Sequence, residues 1–267
     1  MSYFGFSKSR LNLIDEHLQT KYIDTKRFAG TLTGVYRNGE LGYISSLGMM
    51  NLEQNIPMNR DTIFRIYSMT KPITSIALMT LYEKGMFQLD DPVSEYIPSF
   101  KNLGVYQQGN MGDFITTPLE REITIRDLLT HQSGLTYGHT ERTNVDHAYR
   151  TMGIDRESQQ SLSTFVESLS TIPIEFSPGT AWNYSVSTDV CGYLIEVISG
   201  KTLDVFFQNE IFDPLQMSDT SFHVPPEKIS RFASCYSYQQ SNSLTLVDDS
   251  ISGTFISKPK VFSGGGG

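Results

Sequence analysis

Two residues in the stretch FRIYSMTKPITS, Ser68 and Lys71, stand three apart at a predicted helix start. On a helix, residues at this spacing share a face with β-carbons about 5–6 Å apart, so a hydroxyl and an amine there can share a proton. The chemistry open to such a pair is nucleophilic. The amine takes the hydroxyl proton while the oxygen attacks a carbonyl carbon. A lysine at its ordinary pKa of about 10.4 is a poor base at neutral pH, and a second group sharing the proton would ease that demand. Spacing alone does not separate this reading from a capping serine followed by a solvated lysine. Ser257 and Lys260 in SKPK repeat the same S-x-x-K pattern.

The elements that would carry the pair separate the two copies. Pro72 is tolerated only near a first helical turn, which places a helix start near Ser68 and gives the serine the positive end of a helix dipole. Behind it, Ile73, Ile76, Ala77, Leu78, Met79, Leu81 and Tyr82 are apolar around most of the circumference, which predicts a central, buried helix ending at Gly85. SKPK has Pro259 inside it and no helical pattern behind it. Elsewhere, the periodicity predicts helices over 9–22, 124–130 and 187–198, the last stopped by Gly200. Two strand-like runs flank Arg37-Asn38-Gly39-Glu40, where Asn-Gly signals a hairpin. LTLVDDS and SGTFIS read as short strands, and the Gly264–Gly267 run as a flexible connector.

The whole chain limits the function classes. Its 267 residues are 39% hydrophobic and 19% charged, an ordinary globular composition long enough to bury a sizeable core. A net charge of -8 argues against nucleic acid or anionic membrane as the main partner, since both need basic patches. It favours a neutral or polar small molecule. No signal-peptide core or membrane-length apolar run is seen, and a cytoplasmic location is expected. Cys191 falls among apolar residues of a predicted helix and reads as a buried thiol; two cysteines make no disulfide framework. No G-x-S-x-G elbow occurs. His131, His139 and His147 lack the spacing of a metal helix, and neither metal nor cofactor is expected. His131, following a helix, is expected to bond to backbone there. SGKT, Ser199 to Thr202, lacks the first glycine of a phosphate loop, which removes nucleotide binding.

Four blocks, SMTK, ITIRDLLTHQSGL, SPGTAWNYSVSTDVCGYLIEVISG and IFDPLQMSDTSF, resemble in that order the serine β-lactamase and penicillin-binding protein family. The likeness is to its class C type and above all to the related family VIII esterases, and it covers nearly the whole chain. It implies an α+β, β-lactamase/transpeptidase-like fold, with an antiparallel sheet lobe and a helical lobe and the site between them. It implies an acyl-enzyme mechanism in which Ser68 matches the nucleophile and Lys71 the lysine one turn later. Tyr184 matches the tyrosine that relays protons. Tyr137, after SGL, and Val186 are the expected substrate-binding residues.

Two departures bear on activity. The relatives' Tyr-x-Asn is here Tyr184-Ser185-Val186, so an amide that would bond the lysine and a lactam side chain is replaced by an apolar group. That favours ester over lactam. The family's third motif, a Lys-Thr-Gly or Trp/His-Gly-Gly strand, is absent, since Lys201-Thr202-Leu203 has the wrong third residue. The expectation is one two-lobed domain lacking C-terminal sheet strands, with 1–60 and about 255–267 in the sheet lobe and 61–254 in the helical lobe. The expected function is a carboxylesterase on short-chain esters. A β-lactamase or D-alanyl peptidase-like activity and an inactive ligand-binding fragment are the alternatives. If the natural chain ends at Gly267, little or no activity is expected.

Overall fold

The computed structural model describes residues 5–154 and 161–266. Along the chain come α1 (Lys8–Leu18), β1 (Gly30–Arg37), β2 (Glu40–Asn51), β3 (Ile56–Pro57), α2 (Thr70–Glu83), β4 (Gly104–Gln108), β5 (Ile115–Pro118), α3 (Ile125–Leu129), α4 (Asn144–Thr151), α5 (Leu162–Leu169), α6 (Ser187–Ser199), α7 (Leu203–Phe207), β6 (Cys235–Tyr238) and β7 (Leu244–Asp248). They form two compact units, one of Met1–Arg65 with His223–Lys258, the other of Ile66–Phe222 with Pro259–Gly267. Among the described residues no helix is long and apolar enough to cross a membrane.

The first unit holds the strands read from the sequence. β1 and β2 pair antiparallel from Gly30 opposite Gly48 to Arg37 opposite Glu40, and β3 extends the sheet. The connecting Asn38 and Gly39 both have positive φ, +53° and +77°, the combination a tight two-residue hairpin turn needs. β6 and β7 form a separate hairpin, and β7 is the expected LTLVDDS strand. SGTFIS is not a strand. Thr254 donates its N–H to the Asp248 carboxylate at 3.0 Å, and the chain turns as a 3-10 helix over Thr254–Ile256.

The second unit is built around α6. Val190, Cys191, Leu194 and Ile195 on this helix are fully buried, and α2, α3, α5 and α7 pack against it. α2 begins at Thr70, so Pro72 does fall in its first turn. The helix is not buried all round, however. It packs through Thr70, Thr74, Ala77, Leu78 and Leu81, spaced by three and four, while Ile76 points away and is 59% exposed.

The lobe boundaries differ from those expected. Residues 223–254 belong with the strands, and 259–267 with the helices. Ser263, Gly264, Gly265 and Gly266 are buried instead of forming a flexible connector; Gly267 lies outside the described residues. The reason is close approach. A β-carbon on Gly264 would meet the Thr188 carbonyl 2.5 Å away, and one on Gly265 would strike the Asp189 carboxylate. A tight path and a flexible one use the same residue. The β4–β5 hairpin, in a stretch read as mostly helical, was also not anticipated.

Candidate active site

Ser68 lies in a single 3-10 turn, Tyr67–Met69, that runs into α2. The turn is entered through Tyr67 at φ +42°, a left-handed conformation that costs a residue with a β-carbon about 1–2 kcal/mol. The capping position of α2 belongs to Met69, and Ser68 makes no cap bond. Its hydroxyl is exposed and accepts instead from two side chains. Tyr184 donates its OH to Ser68 Oγ at 2.9 Å, and Lys71 Nζ donates at 3.4 Å. The other S-x-x-K copy has no such setting, since Ser257 is exposed on extended backbone.

Lys71 occupies the first turn of α2 and is half-buried. Its tighter contact is with the backbone, where Nζ donates to the Gly265 carbonyl at 2.5 Å. The ammonium also lies 4.6 Å from the centre of the Tyr184 ring and 5.6 Å from that of Tyr137, within cation–π range.

Tyr184 reaches Ser68 because its connector is pinned to the segment that follows α3. The Asn183 N–H donates to the His131 carbonyl at 2.9 Å, the Ser185 N–H to His131 Nδ1 at 3.3 Å, and the Val186 N–H to the Thr136 carbonyl at 3.3 Å. The Asn183 side chain adds bonds to the Leu135 carbonyl and to Glu175, at 3.0 and 2.8 Å. Gly134, at φ +84°, lets the segment after α3 pack so closely on Ile174 and Phe176 that a β-carbon there would strike the Phe176 carbonyl. The tyrosine ring is held between His131 and Tyr137, with centroids 5.0 and 5.3 Å away. Burial pushes the phenol pKa up, but hydrogen bonding to Lys71 and Ser68 and the Lys71 charge outweigh it, and the net shift is downward. A more acidic phenol is a better proton relay near neutrality.

The His131 ring accepts the Ser185 N–H, so the backbone it bonds is that of the Tyr184 connector and not, as expected, that of the helix end it follows; its φ is +57°. Burial, with the Lys71 charge adding to it, lowers its pKa from 6.5 to about 4. The unfolded chain therefore binds a proton at His131 before the folded one does, and this contribution to stability is present above about pH 6.5 and lost as pH falls toward 4. Urea unfolding across this range is expected to show a steeper acid loss of stability in the wild type than in His131→Asn, and equal slopes would contradict it.

Beside the triad lies a cavity of about 490 Å³ whose lining includes Tyr67, Tyr137, Tyr149, Phe165 and Val186. Ser68 and Tyr184 open onto it, and Glu141, Arg150 and Asp189 add charged groups to its lining. Every residue of this cavity and of the triad belongs to the second unit.

Residues 13–265 match the model of the Beta-lactamase family. The chain belongs to the beta-lactamase family. Its fold is the β-lactamase/transpeptidase-like one. Of solved structures, EstCE1, described as a hydrolase with promiscuous acyltransferase activity, superposes with a TM-score of 0.80 at 25% identity, covering 97% of this chain and 68% of that one. An uncharacterized protein of Mycobacterium tuberculosis is 30% identical over 244 residues, 91% of this chain and 59% of the relative. Esterase EstB of Burkholderia gladioli is 32% identical over 208 residues, 77% of this chain and 50% of the relative. The chain thus spans 59% and 50% of the length of these two curated relatives.

In this member of the beta-lactamase family the structure brings Ser68, Lys71 and Tyr184 together and sets Tyr137 and Val186 on the cavity wall. The strained Tyr67, the Gly265 carbonyl that receives Lys71, and the buried Asp189 behind that glycine were not expected as parts of the site. Backbone groups leave no side-chain signal. Asp189 lies five residues beyond Tyr184, on α6, and lines the cavity, but its hydrogen bonds toward Lys71 run to residues 74 or more positions away.

Proposed function

We propose that this protein is a serine hydrolase that forms an acyl-enzyme at Ser68, acting as a carboxylesterase on short-chain esters. The observation that carries the reading is the three-way contact at Ser68 Oγ, with the Tyr184 hydroxyl at 2.9 Å and Lys71 Nζ at 3.4 Å. Ser68 Oγ attacks the ester carbonyl carbon while its proton passes to the Tyr184–Lys71 pair. The tetrahedral intermediate, formed at the positive end of α2, collapses as the C–O bond breaks and the pair protonates the leaving alcohol. Water, deprotonated by the same pair, then cleaves the acyl–Ser68 bond and restores the serine. The hydrolase description of EstCE1 and the esterase name of EstB support this class of reaction.

Ester is preferred over lactam because the position that could present an amide is Val186, buried at 4% exposure, and because Lys71 takes a backbone carbonyl as its partner. Intact-mass analysis after treatment with a fluorophosphonate should show one covalent adduct, lost in Ser68→Ala. No adduct on the wild type would leave a ligand-binding protein in place of an enzyme. A stable penicilloyl adduct together with no ester turnover would move the assignment to the lactam side.

A further inference from the structure

We propose that Asp189 is a positioning residue for Lys71, acting through the buried Ser263–Gly266 strap. The proposal rests on the acyl-enzyme reading above. A lysine ammonium is a compact charge on a flexible four-carbon stem with three rotatable donors, so its direction must be set by its partners. In this site the short partner of Lys71 is not Ser68, at 3.4 Å, but the Gly265 carbonyl at 2.5 Å. That carbonyl belongs to a glycine run, which has no side chain of its own to hold it in place.

The holding groups are Asp189 and Ser263. Asp189 Oδ1 accepts the Gly265 N–H at 3.0 Å and the Ser263 hydroxyl. Ser263 Oγ in turn accepts the N–H groups of Gly265 and Gly266 at 3.1 and 3.0 Å. On the opposite side, Thr74 Oγ1 donates to the Gly264 carbonyl at 2.7 Å. The strap is therefore tied to α6 by the Gly265 N–H and the Ser263 hydroxyl, and to α2 by the Gly264 and Gly265 carbonyls. Asp189 is 4% exposed and sits in the first turn of α6, where the helix dipole favours a carboxylate. A β-carbon on Gly264 would approach Gly192 Cα of α6 to 3.2 Å, so the strap runs at glycine-only distance from that helix. The chain of contacts from Asp189 to Gly265 N–H, and from Gly265 C=O to Lys71 Nζ, crosses a single peptide-linked residue. Loss of the carboxylate frees the carbonyl and with it the aim of the amine.

The test uses the 267-residue chain, with a p-nitrophenyl ester for turnover and a fluorophosphonate for the rate of Ser68 labelling. Misplacing a reacting group by about 1 Å costs about 100-fold, so Asp189→Ala is expected to lower kcat and the labelling rate about 30- to 100-fold with KM within about threefold. Asp189→Asn keeps an acceptor oxygen at the same place and is expected to recover to within about fivefold of the wild type. Gly265→Ala pushes the strap off Asp189 without altering the carboxylate, so it carries the test if Asp189→Ala does not fold. Its expected loss is of the same size, and the double variant should lose no more than either single one. A loss confined to KM, wild-type labelling in both Asp189→Ala and Gly265→Ala, or an Asp189→Asn as impaired as the alanine variant would overturn the proposal. Absence of any Ser68 adduct on the wild type would instead overturn the hydrolase reading, and this inference with it.

Discussion

Lys71→Met is expected to lower kcat/KM for ester hydrolysis by about 10³- to 10⁴-fold, Tyr184→Phe by about 10²- to 10³-fold, and the two together no further than Lys71→Met alone, because general acid–base groups contribute about 10²- to 10⁴-fold and act as a unit. Lys71 and Tyr184 both point at one oxygen, and the amine lies 4.6 Å from the ring it would charge-couple with. In the proposed mechanism the hydroxyl proton of Ser68 has one destination, the amine, reached through the phenol or directly. Methionine keeps the length of the lysine stem and removes only the basic nitrogen. Phenylalanine removes the phenolic oxygen and leaves the ring packed between His131 and Tyr137. The larger loss is assigned to Lys71 because it carries the basic nitrogen and because its hydrogen bond and charge, with the hydrogen bond to Ser68, make the Tyr184 phenol more acidic than usual. Measured losses that multiply in the double variant would mean that the two residues serve separate steps, and the shared-proton mechanism would fail.

How much of this was legible in the sequence follows from where each signal resides. The Asn38-Gly39 turn, the Gly200 stop of α6 and the Pro72 constraint on α2 are local, since each depends on the backbone freedom of one or two residues, and each lies where the sequence places it. Ser68, Lys71 and Tyr184, which the structure brings together, are singled out by four blocks in order, a pattern that needs no geometry. What failed was non-local. Ile76 reads as core by its type, but the burial of α2 is decided by which neighbours cover it, and none of the described residues buries that position. The glycine run reads as flexible because glycine permits many conformations, whereas here it serves close packing against Thr188 and Asp189. β4 and β5 carry Gln, Thr and Pro on a short hairpin with little apolar alternation, so the pattern on which strand assignment rests is nearly absent. The path from Asp189 to Lys71 passes through a backbone carbonyl, which every residue has and no sequence marks.

Arg65→Ala is expected to destabilise the first unit by about 3–5 kcal/mol, the cost of stripping one partner from a buried ion pair. The Arg65 side chain is 4% exposed, and its Nε pairs with Asp248 Oδ2 at 2.5 Å. The remaining guanidinium nitrogens donate to the Ala233 carbonyl and, at 3.2 Å, to the Asp249 carbonyl. Its face lies 4.0 Å from the centre of the Phe232 ring. One side chain thus ties residues before 66 to three separate points after 222, across most of the sequence but within one unit. Alanine would leave the Asp248 carboxylate, 14% exposed, with the Thr254 N–H but no cation, and two carbonyls without their donors. Arg65→Lys is expected to recover less than half of the loss, since an ammonium cannot serve three divergent acceptors and stack on a ring at once. Arg65→Met combined with Asp248→Leu is expected to be more stable than Arg65→Ala, because no charge is then left buried alone. Urea unfolding followed by a unit-specific probe would measure these differences as midpoint shifts at constant slope. A loss under about 1 kcal/mol in Arg65→Ala would place the pair among ordinary surface ion pairs and remove its role in holding the unit together.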